Sequence, residues 1–216
     1  MDDVFLIQSP DDIVLYLQSS ATQDILVNGE RAARIVELSR LAYDVKEQGD
    51  LQAALQYEGE AYRLCLQLIE ASGGFIFPSL VAAKLYNMGQ LHYWMGKFEE
   101  AKLCFEQAKE LDADAGNLVG EAASVRSLGF LRHELGDLSG ALRLHREALK
   151  LDRKADFEYG IAIDRANIGA IYCDLGDFGP ALPYLKLALS SFEALDHVQE
   201  VEKVRQLIRT AKSMST

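Results

Sequence analysis

Apolar residues along this chain recur at intervals of three and four. Leu85, Met88 and Leu91 form one such series, and Val125, Leu128 and Leu131 another. Residues spaced in this way share one face of an α-helix, so the pattern predicts amphipathic helices. Small residues interrupt the helical stripes in a fixed register. The segments Gly89 to Ala101, Gly129 to Ala141 and Gly169 to Ala181 all read Gly-x6-Gly-x-(Phe/Leu)-x2-Ala, and they lie 40 residues apart. A fourth, earlier copy runs from Ala42 through Gly49 to Ala54, with Ala42 in place of the first glycine. A further alanine follows each copy by seven residues, at Ala61, Ala108, Ala148 and Ala188.

Each repeated position has a physical role. The first small residue falls inside a helix, where glycine costs about 1 kcal/mol relative to alanine. That cost is tolerable where a second helix must approach closely. The second glycine falls between two helices, where a left-handed residue ends the first of them. Asp50, Asp137 and Asp177 follow at the position of an N-cap acceptor for the next helix. The two alanines seven apart share one face of that helix and let it pack tightly on its predecessor.

With these residues in place, the chain resembles the tetratricopeptide repeat, whose consensus has small residues at its eighth, twentieth and twenty-seventh positions. The resemblance covers roughly residues 35 to 195. The period exceeds the family's usual length of about 34 residues. The excess is expected between the second helix of one repeat and the first helix of the next, in segments such as Asp112 to Gly120. Long repeats of this kind are similar to those of LGN-type spindle scaffolds, kinesin light chains and bacterial Rap-type regulators. The fold class expected is all-α, a right-handed solenoid of antiparallel helix pairs with helical caps at both ends. The expected divisions are a leader or cap over 1–34, repeats over 35–72, 82–121, 122–161 and 162–195, an insertion loop over 73–81, and a capping helix over 196–216.

The ends and the insertion depart from the repeat. Ser9-Pro10-Asp11-Asp12 supplies a helix start, with the helix continuing to about Ser19 or Val27 before Asn28-Gly29. Arg209 stands where a further close-approach glycine would fall, which suits a helix with no successor to receive it. The insertion carries Phe75-Ile76-Phe77, read as packing against neighbouring helices in preference to meeting a partner.

The resemblance implies a concave face lined by the first helix of each repeat. Its candidate residues are Ser39, Arg40, Tyr43 and Lys46, then Tyr86, Asn87, Gln90, Tyr93 and Trp94, then Arg126, Ser127, Phe130 and His133, then Asn167, Ala170, Cys173 and Asp174. The peptide-binding set drawn from them is Arg40, Tyr43, Tyr86, Asn87, Gln90, Tyr93, Arg126, Phe130, His133 and Asn167. Asn87 and Asn167 share the sixth repeat position, where an amide pairs with both polar groups of an extended backbone. Arg126 offers a planar fork for a carboxylate. The aromatic residues offer anchor surface, with packing between helices as the competing role. The carboxylate clamp known in some members of the family is absent in its usual form. Asn87 matches one of its positions, but Ser39, Tyr43, Ala123 and Ser127 stand at others.

Charge and composition narrow the partner class. The net charge of −11 opposes binding to nucleic acid and to anionic membranes. Met1-Asp2-Asp3 is acidic where a secretory leader is basic, so a cytosolic location is the expectation. Cys65, Cys104 and Cys173 lack the spacing of a zinc site or a disulfide framework. His133 and Cys173 share the twelfth repeat position but are expected about 10 Å apart, one helix diameter, which opposes a catalytic dyad. His92 is read as a core histidine. Asp112-Ala113-Asp114 begins like a calcium loop, but Ala123 stands where the bidentate Glu is required. Glu99, Glu100, Glu106 and Glu110 read as a solvated convex face. No enzyme motif, metal or cofactor is expected. The leading reading is an adaptor that holds a polypeptide segment of another protein. The alternatives are a self-associating assembly protein and a Rap-like regulator of a signalling protein.

Overall fold

The computed structural model describes residues 29–71 and 78–214. The N-terminal leader up to Asn28 and the Phe75-Ile76-Phe77 segment lie outside the described residues. Within them every regular element is an α-helix: α1 (Gly29–Glu47), α2 (Leu51–Ala71), α3 (Pro78–Trp94), α4 (Phe98–Asp114), α5 (Leu118–Glu134), α6 (Leu138–Lys154), α7 (Glu158–Asp174), α8 (Phe178–Ala194) and α9 (Val198–Met214). The chain forms two compact units, one ending at Gly120 and the other beginning at Glu121.

From α3 onward each helix has 17 residues and each connection has three. The expected placement of the extra repeat length is therefore corrected. Asp112 to Asp114 close α4 and Leu118 to Gly120 open α5, so only Ala115, Gly116 and Asn117 connect them. The residues beyond the usual period lengthen the helices. The helix register also starts earlier than the repeat divisions suggest, with α3 beginning at Pro78, a residue suited to a first helical position.

One chain reversal is used at every connection from α3 to α9. Gly96, Gly116, Gly136 and Gly176 have positive φ, as do Asp156 (φ 53°) and Asp196 (φ 57°) at the same register. The following N–H reaches back five residues: Lys97 to His92 at 2.9 Å, Asp137 to Arg132 at 2.8 Å, Asp177 to Tyr172 at 2.8 Å. This is the hydrogen-bond pattern of a helix ended by a left-handed residue. Aspartate tolerates that conformation but pays for its Cβ. Asp156→Gly and Asp196→Gly are each expected to stabilise the second unit by about 0.5–1 kcal/mol, net of the extra chain entropy of glycine. A urea midpoint that falls in either variant would contradict this.

Of the three expected N-caps, two form. Asp50 accepts from the Ala53 N–H at 2.9 Å, and Asp137 from the Gly140 N–H at 2.8 Å. Asp177 makes no such bond. The residue three positions on is Pro180, which has no N–H to offer. Asn117 caps α5 in the same way, accepting from Gly120 at 3.2 Å.

The close-approach glycines meet the side chain sixteen residues later. A methyl group added at Gly89 would lie 2.6 Å from a ring carbon of Phe105, one at Gly129 2.9 Å from His145, and one at Gly169 2.6 Å from Leu185. In the first unit the core gathers Ile35 and Leu38 of α1, Cys65 and Leu68 of α2, and Leu80, Val81 and Leu85 of α3. In the second, Leu185 and Phe192 of α8 pack on Val201, Val204 and Ile208 of α9. The remaining face of α9 is polar, with Arg205, Gln206 and Arg209 exposed and Arg209 paired to Glu202 at 2.7 Å.

Candidate functional site

The position that receives each close-approach glycine is apolar at Phe105 and Leu185 but polar at His145. Sixteen residues after Ala42 the same place is taken by Glu58, which is also polar and buried. A buried polar residue needs partners, because an unpaired one costs its full desolvation. Each of these two residues is accordingly the centre of a side-chain network.

In the first unit the network joins α1, α2 and α3. Lys84 is fully buried. Its ammonium donates to the Ser39 hydroxyl at 2.7 Å and lies 3.1 Å from Glu58 Oε2. The Ser39 hydroxyl in turn donates to the Ile35 carbonyl at 2.9 Å. Asn87 Nδ2 donates to Glu58 Oε1 at 3.0 Å. The nearby Cys65 thiol is pushed up to about 12 by burial, with Lys84 acting in the opposite direction. Such a thiol is inert as a nucleophile.

In the second unit the network joins α5, α6 and α7. Arg126 donates from Nε to Asp164 Oδ1 at 2.9 Å and from Nη2 to Asp164 Oδ2 at 3.2 Å. Its Nη2 also donates to Asp152 Oδ2. His145 Nδ1 lies 3.3 Å from Asp164 Oδ1, and the Phe130 ring meets the imidazole edge-on at 5.1 Å. All four polar members are buried. Burial raises the Asp152 carboxyl to about 7, against the pull of Arg126 and with the help of Asp164. The fork of Arg126, expected to meet a ligand carboxylate, is held by two carboxylates of the chain itself.

The two networks occupy the same repeat positions with the charges exchanged. Ser39, Glu58 and Lys84 correspond to Arg126, His145 and Asp164. One repeat further on, Ala166, Leu185 and Val204 fill these positions with apolar side chains.

The other candidate residues divide between the units. In the first, Arg40 is exposed, Tyr43 is 42% exposed and Trp94 is 49% exposed. The Lys46 ammonium sits 4.6 Å from the Tyr43 ring centre and 5.7 Å from that of Trp94. Gln90 Nε2 donates to the Tyr86 hydroxyl at 3.1 Å, Tyr86 packs on Phe105, and Tyr93 packs on Phe98. In the second, Phe130 is 38% exposed and His133 Nε2 lies 2.7 Å from Asp174 Oδ2. The structure thus pairs His133 with Asp174. The Cys173 thiol is pushed up by burial and by Asp174, against a role as nucleophile.

Asn87 and Asn167, equivalent in sequence, differ in environment. Asn87 spends its amide on Glu58. At the corresponding place His145 faces Asp164, and the buried Nδ2 of Asn167 has no hydrogen-bond partner. His92 is half-buried with its pKa lowered by burial. Among the described residues no group of three or more His, Cys, Asp or Glu side chains is placed to hold a metal ion. No described helix is long and apolar enough to cross a membrane.

Residues 80–154 match the model of the tetratricopeptide repeat family. No curated protein matches the chain significantly. Among solved structures, BtubC (BKLC) from P. vanneervenii is similar with a TM-score of 0.66 and 20% identity, over 95% of this chain and 84% of that one. The nearly identical TPR-like repeats of a putative kinesin light chain from Podosopora anserina give 0.52 and 15%, over 85% and 97%. A Rap protein complexed with competence and sporulation factor gives 0.52 and 18%, over 95% of this chain and 59% of the Rap chain. At these identities the likeness is one of fold. The tetratricopeptide repeats matched over residues 80–154 thus sit in a chain whose helix pairs and close-approach glycines follow the fold of tetratricopeptide-type repeat proteins.

Proposed function

We propose that the chain is a protein-interaction scaffold that captures a polypeptide segment on the faces of its odd-numbered helices. The observation that carries this reading is Asn167. Its amide nitrogen is buried without a partner, on the helix that also presents Asp174 to His133. Turned outward about its side-chain torsions, the amide would donate to a backbone carbonyl of an extended segment. Phe130 on α5 offers exposed apolar surface in the same unit. That a Rap protein of similar fold is complexed with competence and sporulation factor supports a partner-binding role. On the first unit, Tyr43, Trp94 and Arg40 form the corresponding exposed set.

Asn87 and Arg126 are unsuitable test positions because both hold buried charge in place. The informative variant is Asn167→Ala with Phe130→Ala. Full-length protein is applied to an array of immobilised random 15-residue peptides. The double variant is expected to lose the peptides that wild type retains, each change weakening binding about tenfold or more, with helicity by circular dichroism unchanged. An identical peptide set bound by wild type and variant would overturn the reading. Fluorescence of Trp94, the single tryptophan of the chain, reports docking on the first unit separately.

A further inference from the structure

The buried network of the second unit has an odd charge count. Arg126 contributes one positive charge at any relevant pH. Asp152 and Asp164 contribute two negative charges when both are ionised, and neutral His145 none. The network is then neutral only when one proton is held among the two carboxyls and the imidazole. With none it carries one net negative charge out of water, and with two it carries one net positive charge. Either is opposed by burial. We infer that the second unit is built around a single buried exchangeable proton, shared among Asp152, Asp164 and His145, and that gain or loss of charge there loosens α5, α6 and α7.

The groups facing one another are Arg126 from α5, His145 and Asp152 from α6, and Asp164 from α7. Tyr159 of α7 feels the charges of Glu200 of α9 and of Arg126. The exposed pair of His133 on α5 and Asp174 on α7 also links two of these helices, and it must be removed from the count. Such groups titrate together, so the proton belongs to the network and to no single side chain.

The sign of the effect follows from comparing bound protons. In the unfolded chain carboxyls titrate near 4 and histidine near 6.5. Around neutrality the folded network holds more proton than the unfolded chain, as the raised Asp152 shows. Stability therefore falls as pH rises through about 7. Below about pH 4 the unfolded chain binds protons on both carboxyls and the imidazole, and stability falls again. The maximum lies in the weakly acidic range. Because Phe130 rests on His145, the same proton bears on the face proposed for peptide capture. The test below reads the fold alone, so it succeeds or fails independently of any peptide.

The test is hydrogen exchange of the full chain, read by mass spectrometry on peptides within residues 121–174 and corrected for the intrinsic pH dependence. Each protein carries His133→Gln, which removes the exposed pair. The reference protein is expected to be about threefold better protected near pH 5.5 than near pH 8.5, because the folded network loses its proton near 7 and the unfolded histidine near 6.5. Asp152→Asn leaves a network that is neutral with no proton. Its protection is expected to rise from about pH 5.5 to about pH 8.5, because a proton added on acidification would leave the buried network with a net positive charge, while the unfolded chain is solvated. Asp164→Asn is expected to reverse the slope in the same way, and serves if Asp152→Asn does not fold. His145→Gln keeps two carboxyls against one guanidinium and is expected to keep the direction of the slope and steepen it, because the unfolded chain then lacks the imidazole. A flat profile in the reference protein, or the original slope persisting in either Asn variant, would overturn the inference.

Discussion

Arg126→Met is expected to unfold the second unit at denaturant concentrations that the wild-type unit tolerates. The guanidinium is the cation between Asp152 and Asp164, both fully buried. Removing it leaves the two carboxyl groups facing each other out of water with no guanidinium counter-charge. Breaking a buried ion pair from one side costs about 3–5 kcal/mol, a large share of the 5–15 kcal/mol or so that stabilises a typical domain. The pairing itself contributes far less than that figure, since two ions had to be desolvated to form it. A compensated replacement is therefore expected to recover the loss. The next repeat supplies the design, because Ala166, Leu185, Phe192 and Val204 occupy the places of Arg126, His145, Asp152 and Asp164. The variant Arg126→Ala, His145→Leu, Asp152→Phe, Asp164→Val is expected to fold and to match wild type in urea unfolding. Arg126→Met with a midpoint close to wild type would show that the two carboxylates find other compensation. Failure of the fourfold variant alone would show that the apolar set needs packing partners particular to α8 and α9.

What the sequence made legible follows from which features repeat along it. The helices, the close-approach glycines and the reversal between the two helices of each repeat all recur at a fixed spacing with nearly fixed residue types. The reversal after each second helix obeys the same geometry but hides it. Gly116 keeps the glycine, while Asp156 and Asp196 adopt the left-handed conformation without one. A 20-residue half-period was thus present in the backbone and obscured in the residues. Asp112 to Gly120 reads as a loop because Asp, Gly and Asn are turn residues. In the structure Asp112 is buried at the end of α4, accepting from Asn117 Nδ2 at 2.8 Å. The binding face was less legible than the fold. Arg126 is recognisable as a carboxylate binder, but its carboxylates lie 26 and 38 residues later, on helices whose facing sides are set only by packing. Asn87 and Asn167 share a repeat position and differ only through Glu58 and His145, one helix earlier. The signal available in sequence was the charged residue at a core position of an apolar stripe, as at Lys84 beside Val81 and Leu85.

Lys84→Met is the corresponding prediction for the first unit, and here a double-mutant cycle isolates the interaction. Lys84 has no exposed surface, and Glu58 retains very little. With the ammonium gone, Glu58 keeps the Asn87 amide but loses its counter-charge, and Ser39 loses the donor to its oxygen. A loss of about 3–5 kcal/mol is expected in urea unfolding of the first unit. Glu58→Gln alone is expected to cost a similar amount, because it strands a buried ammonium against neutral partners. Together the two changes are expected to cost much less than their sum, with a coupling of about 2–3 kcal/mol, at the upper end for residues in direct contact. Additive losses would mean that Lys84 is held chiefly by Ser39 and the surrounding carbonyls, and Ser39→Ala would then reproduce most of the loss. The cycle also bears on repeat order. At one repeat position the first unit puts the Lys84 ammonium against Glu58, and the second puts the Asp164 carboxylate against Arg126. Exchanging Lys84 for aspartate places two carboxylates together in the first unit, and exchanging Asp164 for lysine places two cations together in the second. Charge exchange therefore tells one repeat junction from the other where shape alone does not, and the coupling measured at Lys84 and Glu58 sets how strongly the first junction is specified.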